Sequence, residues 1–473
     1  MNIMETLRAS SYIIPVKLES EEGKYMLIHG YTGAMDIVDS ELKSYIFSSN
    51  QFNKETFPFA DVFFELLKSR GYLTIKTKED ERIYVQKIAF KSACLSKVLT
   101  KSFTFLVTYK CNFKCPYCYE QNNVQREGTD FKTTISKEMV DKAFLAMSEI
   151  EPNIKLHNKV INLFGGEPLL EENRRIIKYI VDKGKALGYR FSATSNGYDL
   201  DSYGDMLGND AIASVQVTID GSKYVHDIRR IHHENHGTFD TIIANIKWAL
   251  GKGIALAIRI NVDAENINEV LILDSYFQKI GLFDYDKFTA YAAYIGGDIN
   301  YNPSVYNLTG NQRISLQDFY ATCSQSQHIQ YDISLCKKVL SAIKSKKCLK
   351  LLPIHCGAQA VTDYIFDSFG HIYSCLDCVG NKRQAIGTYI NHVRWNEVKE
   401  KWTNRNVGIL DKCSKCKFAL LCGGGCYAKV LNFNIESYCD GYPVKFKNTI
   451  NRIYKHLYKQ VNTSVNFYRK IKS

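Results

Sequence analysis

Residues 103–118 read FTFLVTYKCNFKCPYC. The first seven, rich in Phe, Val and Thr, are a strand candidate. Three thiols follow at once, Cys111, Cys115 and Cys118, in the spacing C-x3-C-x2-C. A cubane [4Fe–4S] cluster has four irons and normally takes four cysteine thiolates. Three thiolates therefore leave one iron open to an exogenous ligand. A zinc site would complete its tetrahedron with a further Cys or His; none sits close by in the sequence, although a remote one could serve.

Outward from this stretch, short apolar runs alternate with longer amphipathic ones. KVINLFGG, RFSATSNG, ASVQVTIDG and ALAIRINV are further strand candidates, and SKEMVDKAFLAMSEI, EENRRIIKYIVDKGKALG and TFDTIIANIKWALGKG carry helical periodicity. Repeated β-then-α units predict a parallel sheet, open or closed into a full or partial barrel. Ligands in such folds gather at the C-terminal ends of the strands. Three motifs fall there: the cysteines after FTFLVTY, GGEP after VINLF, and SNG after RFSAT.

The chain has 473 residues, 45% hydrophobic and 23% charged, the profile of a globular protein with room for several domains. It contains no run of 18 apolar residues, so no membrane span is expected. The N-terminal stretch lacks the basic-then-apolar layout of a secretion signal, and a cytoplasmic location is the expectation. The net charge of +12 could favour an acidic peptide or nucleic acid, though a mild excess of lysine is more often only a solvated surface. Neither nucleic acid nor a membrane is an expected partner. Residues 1–95 predict a small α+β module: SYIIPVKLE and KYMLIHG as strands, then helices DSELKSYIFSS, N-capped by Asp39, and FADVFFELLKSRG, stopped at Gly71, with a linking helix from Lys76.

Of 15 cysteines, nine lie between Cys348 and Cys439. Without a secretion signal, such grouping favours metal over disulfides. Cys356 is followed by thirteen residues, Gly370, four residues and Cys375; then come Cys413-x2-Cys416-x5-Cys422-x3-Cys426 and, after a gap, Cys439. Long periodic elements are scarce here, so metal clusters are expected to substitute for a large core. Cys94, Cys323 and Cys336 read as small buried hydrophobes.

CNFKCPYCYE resembles the signature loop of the radical S-adenosylmethionine (SAM) superfamily, with Tyr117 at its aromatic position. The resemblance implies a partial (β/α)6 TIM-like barrel. It also implies that SAM chelates the open iron and is split to a 5′-deoxyadenosyl radical that abstracts hydrogen from substrate. Gly165, Gly166, Glu167 and Pro168 are similar to the family's GGEP, whose Glu engages the SAM ammonium. Ser195 and Asn196 are similar to its strand-end polar pair, and Arg230 in HDIRR to an arginine that meets the SAM carboxylate. His226 reads as structural, and His232, His233 and His236 as exposed loop residues. The C-terminal string resembles the seven-cysteine SPASM pattern, which implies two auxiliary [4Fe–4S] clusters, three clusters in all. By position, Cys356, Cys375 and Cys426 would bind the first; Cys413, Cys416, Cys422 and Cys439 would bind the second. The first set is one ligand short. Cys348 or Cys378 could complete it, or the site stays open to a substrate thiolate.

The resemblance divides the chain into a winged-helix-like leader-peptide recognition element (1–95), radical SAM core (96–320), bridging region (321–350), SPASM domain (351–450) and C-terminal helix (451–473). It implies a maturase of ribosomally synthesised peptides (RiPPs), fed by a precursor peptide with a leader and a flavodoxin or ferredoxin-type reductant. The product expected is an intramolecular crosslink, a Cys thioether, with a carbon–carbon crosslink or formylglycine formation as alternatives. Asp377 and Asp220 are the candidate acid–base residues, Asp377 being preferred.

Overall fold

The computed structural model describes residues 6–95, 99–120, 133–295 and 313–462, so the expected C-terminal helix is described as far as Asn462. The N-terminal strands are β1 (Arg8–Ala9), β2 (Ile13–Lys17), β3 (Lys24–His29), β4 (Met35–Asp39) and β5 (Leu73–Thr74). The barrel strands are β6 (Ser102–Thr108), β7 (Val160–Gly165), β8 (Arg190–Ser195), β9 (Ile212–Thr218), β10 (Ala255–Val262) and β11 (Phe288–Tyr294). The last four are β12 (Asp363–Phe366), β13 (His371–Tyr373), β14 (Gly387–Thr388) and β15 (Arg394–Trp395).

The six barrel strands pair in parallel in sequence order, as alternating β and α units require. Helices 137–150, 174–186, 239–251 and 269–279 connect them, while β8 passes to β9 through a single 3-10 turn at 200–203. The first helix is capped by Ser136, whose side chain accepts from the Met139 amide. Alternation along each strand separates two environments. Ile161, Leu163, Phe191, Ala193, Leu256 and Ile258 point to the helices and are buried in the main core. Asn162, Ser192, Thr194, Gln216 and Lys287 line a cavity of about 550 Å³ inside the sheet. The cavity is open and lined by apolar residues such as Val215, Ala255 and Ala257 beside the polar ones, unlike the packed interior of a closed eight-stranded barrel.

The sheet does not end with the barrel. β12 pairs in parallel with β6, from Asp363 opposite Ser102 to Phe366 opposite Phe105, and β13 to β15 extend it antiparallel to ten strands. The cysteine-rich segment was expected to have little apolar core. Instead Phe366, Tyr373, Tyr389 and Trp402 are buried and continuous with the barrel core. Short, irregular elements hid this apolar content from periodicity.

In the N-terminal module β2, β3 and β4 form an antiparallel sheet. Asp39 caps helix 40–48 by accepting from the Leu42 amide, and helices 61–69 and 78–95 follow. β4 is a third strand the sequence did not announce, because two acids interrupt its alternation. One of them, Asp36, accepts hydrogen bonds from the Arg70 guanidinium and, at 2.8 Å, from the Tyr72 hydroxyl. The sheet is covered on both faces. Ile13, Leu27 and Val38 meet Leu42, Ile46, Phe64 and Leu67. Ile14, Val16, Met26 and Ile28 meet Val339, Phe446, Ile450 and Ile453 from helices 333–345 and 442–462.

Glu81 ties this module together. Its buried carboxylate accepts from Arg8 at 2.6 Å, from the Ser11 amide at 2.9 Å, from Tyr31 at 3.0 Å and from Ser10. Burial opposes its ionisation, yet these donors hold its carboxyl below the usual range. Its contribution to stability is therefore present above the unfolded-state pKa and lost as pH falls through the folded one. Glu81→Ala, which strands Arg8, is expected to cost about 3–5 kcal/mol in urea unfolding at neutral pH and less in acid. A loss below about 1 kcal/mol would show that the network is not what holds β1 to helix 78–95.

Candidate active site

β6 runs out at Thr108, and the cysteine loop turns across the top of the barrel. Segment 231–233 clasps this loop: the Lys114 amide donates to the Ile231 carbonyl, the His233 amide to the Asn112 carbonyl, and His233 Nε2 lies 2.8 Å from the Cys111 carbonyl. Cys111, Cys115 and Cys118 face one another. Burial, then the neighbouring charges of Cys115, Glu167 and Cys118, pushes the Cys111 thiol well above its ordinary range. Thiols so placed ionise readily only against a cation, which an iron cluster supplies.

The diglycine of GGEP is required by backbone contact. A Cβ on Gly165, at φ +147°, would lie 2.2 Å from the Thr108 carbonyl oxygen, and one on Gly166 would lie 2.3 Å from that of Lys110. The Gly166 and Glu167 amides donate to the same two carbonyls at 2.9 and 2.7 Å. The glycines thus press β7 against the root of the cysteine loop, and the close approach expected of a ligand is made first by the protein's own chain.

Glu167 is buried and held by three donors: Ser195 Oγ and the Leu169 amide, both at 2.8 Å, and the Asn196 amide. Burial nevertheless raises its carboxyl to about 7. The Asn196 side chain donates to Asn112 at 2.7 Å, so the SNG motif binds the GGEP acid and the cysteine loop together. Pro168 leads directly from this acid into the buried Leu169.

On the other side Tyr117 donates to Asp220 and accepts from Arg230 at 2.8 Å. Arg230 Nε is buried without a hydrogen-bond partner. Arg229 is engaged elsewhere, with Asp263 at 2.8 and 3.3 Å. His226 is buried between the Asp220 amide and Thr238, with its basicity suppressed by burial, and is structural. His232 is half-buried and stacks on His236, with ring centres 4.1 Å apart; His233 and His236 are exposed.

Glu120 was not singled out from the sequence, although it lies two places after Cys118. It is buried, its Oε1 has no hydrogen-bond partner, and burial followed by the nearby Glu167 raises its carboxyl to about 8. An orphaned guanidinium nitrogen and an orphaned carboxyl oxygen flanking the thiols fit a zwitterionic ligand bearing both ammonium and carboxylate. SAM has that chemistry, and a cubane fits the three thiols.

The C-terminal cysteines fall into two groups. In the first, Cys375 is a neighbour of Cys356, of Cys426 and, thiol to thiol, of Cys378. In the second, Cys439 is a neighbour of Cys413, Cys416 and Cys422. Gly423, Gly424 and Gly425, at φ +78°, +90° and +75°, join the groups. A Cβ on Gly423 would lie 2.6 Å from the His355 amide nitrogen, and one on Gly425 would lie 1.9 Å from the Tyr438 carbonyl, which brings the outlying Cys356 and Cys439 segments in. Backbone amides of Phe418, Gly424 and Lys429 reach the thiols of Cys416, Cys422 and Cys426. Cys94, Cys323 and Cys336 belong to neither group; Cys323 is buried, but Cys336 is only half-buried and Cys94 is exposed, against expectation, and Cys348 also stands apart, beside Arg70. Asp377 sits beside Cys426 with Lys429 and the barrel residue Arg259 as cationic neighbours. Arg405, between Cys413 and Cys426, had no signal in the sequence.

This is the site of a radical SAM domain: residues 105–274 match the family model of the Radical SAM superfamily, whose members use SAM and a [4Fe–4S] cluster. Among particular proteins, the chain is 23% identical over 383 residues to a cysteine-type anaerobic sulfatase-maturating enzyme of Clostridium novyi, covering 75% of this chain and 96% of that one. It is 26% identical over 184 residues to a probable GTP 3′,8-cyclase of Methanococcus maripaludis, a match covering 38% of this chain and about half, 56%, of that relative. The fold is similar to that of native anSMEcpe with bound AdoMet and Cp18Cys peptide, with a TM-score of 0.55 at 16% identity over 77% of this chain and 99% of that one. Among the described residues no helix is long and apolar enough to cross a membrane.

Gly166→Ala is expected to displace the Cys111–Cys118 loop. The reconstituted variant should then hold about four fewer irons than the parent protein, and SAM should no longer perturb its cluster EPR signal. Unchanged iron and EPR would mean that the loop tolerates the added Cβ.

Proposed function

We propose that this protein is a radical SAM peptide maturase that crosslinks a ribosomally made precursor, joining a Cys sulfur to carbon. The observation that carries this reading is the N-terminal module. Its sheet is docked on the segment of the second cysteine group, with the Tyr12 hydroxyl donating to the Ser414 carbonyl at 2.7 Å. Its outer strand β4 has no strand beyond it among the described residues. An open strand edge suits a leader peptide, which adds as a further strand through main-chain hydrogen bonds.

When bound, SAM on the open iron supplies the hydrogen-abstracting radical. The chain's own part is to hold SAM and remove charge. Cys111, Cys115 and Cys118 would hold the cluster; Glu167 and Glu120 would meet the ammonium and Arg230 the carboxylate, while Ser195 and Asn196 keep Glu167 in place. Crosslinking takes two hydrogens from the peptide: one as an atom, the other as a proton with an electron. Asp377, between the first auxiliary group and Arg259 on the barrel wall, takes the proton. A flavodoxin or ferredoxin-type protein supplies the reducing electron.

A second reading, oxidation of one Cys or Ser to formylglycine, is favoured by the nearly end-to-end similarity to the Clostridium novyi enzyme. Coexpression with a short Cys-containing peptide encoded beside the gene decides between them by mass spectrometry. Loss of two hydrogens per modification is expected, and an aldehyde on a sulfatase-type peptide would replace the crosslinking reading. Asp377→Asn should lower product formation about 10²–10⁴-fold while SAM cleavage to 5′-deoxyadenosine continues. Equal loss of both would assign Asp377 to folding of the auxiliary segment.

A further inference from the structure

Sequence left the fourth ligand of the first auxiliary group undecided, and the geometry points to Cys378. We propose that Cys356, Cys375, Cys378 and Cys426 together saturate the first auxiliary cluster, so that no iron there is open to substrate sulfur. This rests on the auxiliary-cluster reading above and changes what that cluster does.

Cys375 lies two residues past β13 and is the N-cap of a one-turn 3-10 helix, Leu376–Cys378. The Cys378 amide donates to the Cys375 carbonyl at 3.1 Å, and residues three apart in such a turn eclipse one another, which sets the two thiols side by side. Cys378 is 0% exposed, and its thiol is within hydrogen-bonding reach of Cys375. Its other neighbour is Tyr427, the residue after Cys426. The turn therefore holds Cys378 against Cys375, the thiol that both Cys356 and Cys426 neighbour.

Cys348 is excluded by its attachment. It is exposed, and the next residue is fixed to the N-terminal module: the Leu349 amide donates to the Gly33 carbonyl at 2.7 Å, and a Cβ on Gly33 would meet the Leu349 carbonyl oxygen at 2.3 Å. Moving Cys348 to the first group would tear this contact and unseat Leu349 from the apolar layer it shares with Ile28 and Val339.

A saturated cluster cannot hold the substrate thiolate. Held by Cys356, Cys375, Cys378 and Cys426, the cluster would supply a one-electron acceptor for the electron that leaves with the second hydrogen's proton, and the substrate sulfur would attack unligated.

The test uses full-length protein with Cys111, Cys115 and Cys118 replaced by Ala, which isolates the auxiliary clusters. About eight irons per chain are expected after reconstitution. The EPR spectrum of the reduced protein should not change when free cysteine is added. In the same background Cys378→Ala should either drop to about four irons or acquire a spectrum that shifts with added cysteine. Cys348→Ala should match its parent in both measurements. A parent spectrum that shifts with cysteine, an indifferent Cys378→Ala spectrum at full iron content, or an altered Cys348→Ala spectrum would each overturn the assignment. A parent devoid of iron would remove the auxiliary clusters themselves, and with them this assignment, while leaving SAM cleavage by the unsubstituted protein as the separate measure of its radical chemistry.

Discussion

Two peptide hydrogen bonds at the top of the barrel govern the rest of the site. The Gly166 and Glu167 amides donate to the Thr108 and Lys110 carbonyls, and both bonds need residues without a Cβ at 165 and 166. They fix where the cysteine loop leaves β6 and where the Glu167 side chain begins. Ser195 and Asn196 then have one place to go, onto Glu167, and Asn196 returns to the loop through Asn112. Three strand ends are locked into one frame before any ligand arrives. Preorganisation of this kind lets a ligand's charges meet fixed partners rather than reorganise them.

The opposite wall of the frame is built from charge. Asp220 accepts from Tyr117 and from the Asn261 amide at 3.0 Å, and Tyr117 in turn accepts from Arg230. Arg229 is drawn away by Asp263, leaving Arg230 beside Cys115 with a buried Nε that has no hydrogen-bond partner. Adjacent arginines thus divide the work: one fastens the helix end to β10, the other is available to an anion.

The barrel was legible because its strands and helices are regular, and because FTFLVTY, VINLF and RFSAT each end in a motif. The SPASM-like spacing separated the cysteines into the two sets that the fold brings together. What stayed hidden depends on distant partners. β4 carries Asp36, whose counter-charge is Arg70 and whose other donor is the Tyr72 hydroxyl, both more than thirty residues on. The choice between Cys348 and Cys378 turns on which chain segment Leu349 is fastened to, a contact spanning three hundred residues of sequence. The diglycine looked like a cradle for a ligand because a missing Cβ does not say which atom comes close. Glu120 needed only its position after the third cysteine, but its burial and orphaned oxygen are properties of the fold.

β12 has a bearing on biogenesis. It is the strand that covers the β6 edge of the barrel sheet, and it lies between Cys356 and Cys375, inside the segment whose folding the proposed auxiliary clusters would support. A chain made under iron starvation would lack the clasp that holds this segment shut. Its β6 would then present bare amides and carbonyls to other chains, a template for intermolecular strand addition. On the auxiliary-cluster proposal, cofactor supply and colloidal behaviour would be wired to the same four residues of polypeptide.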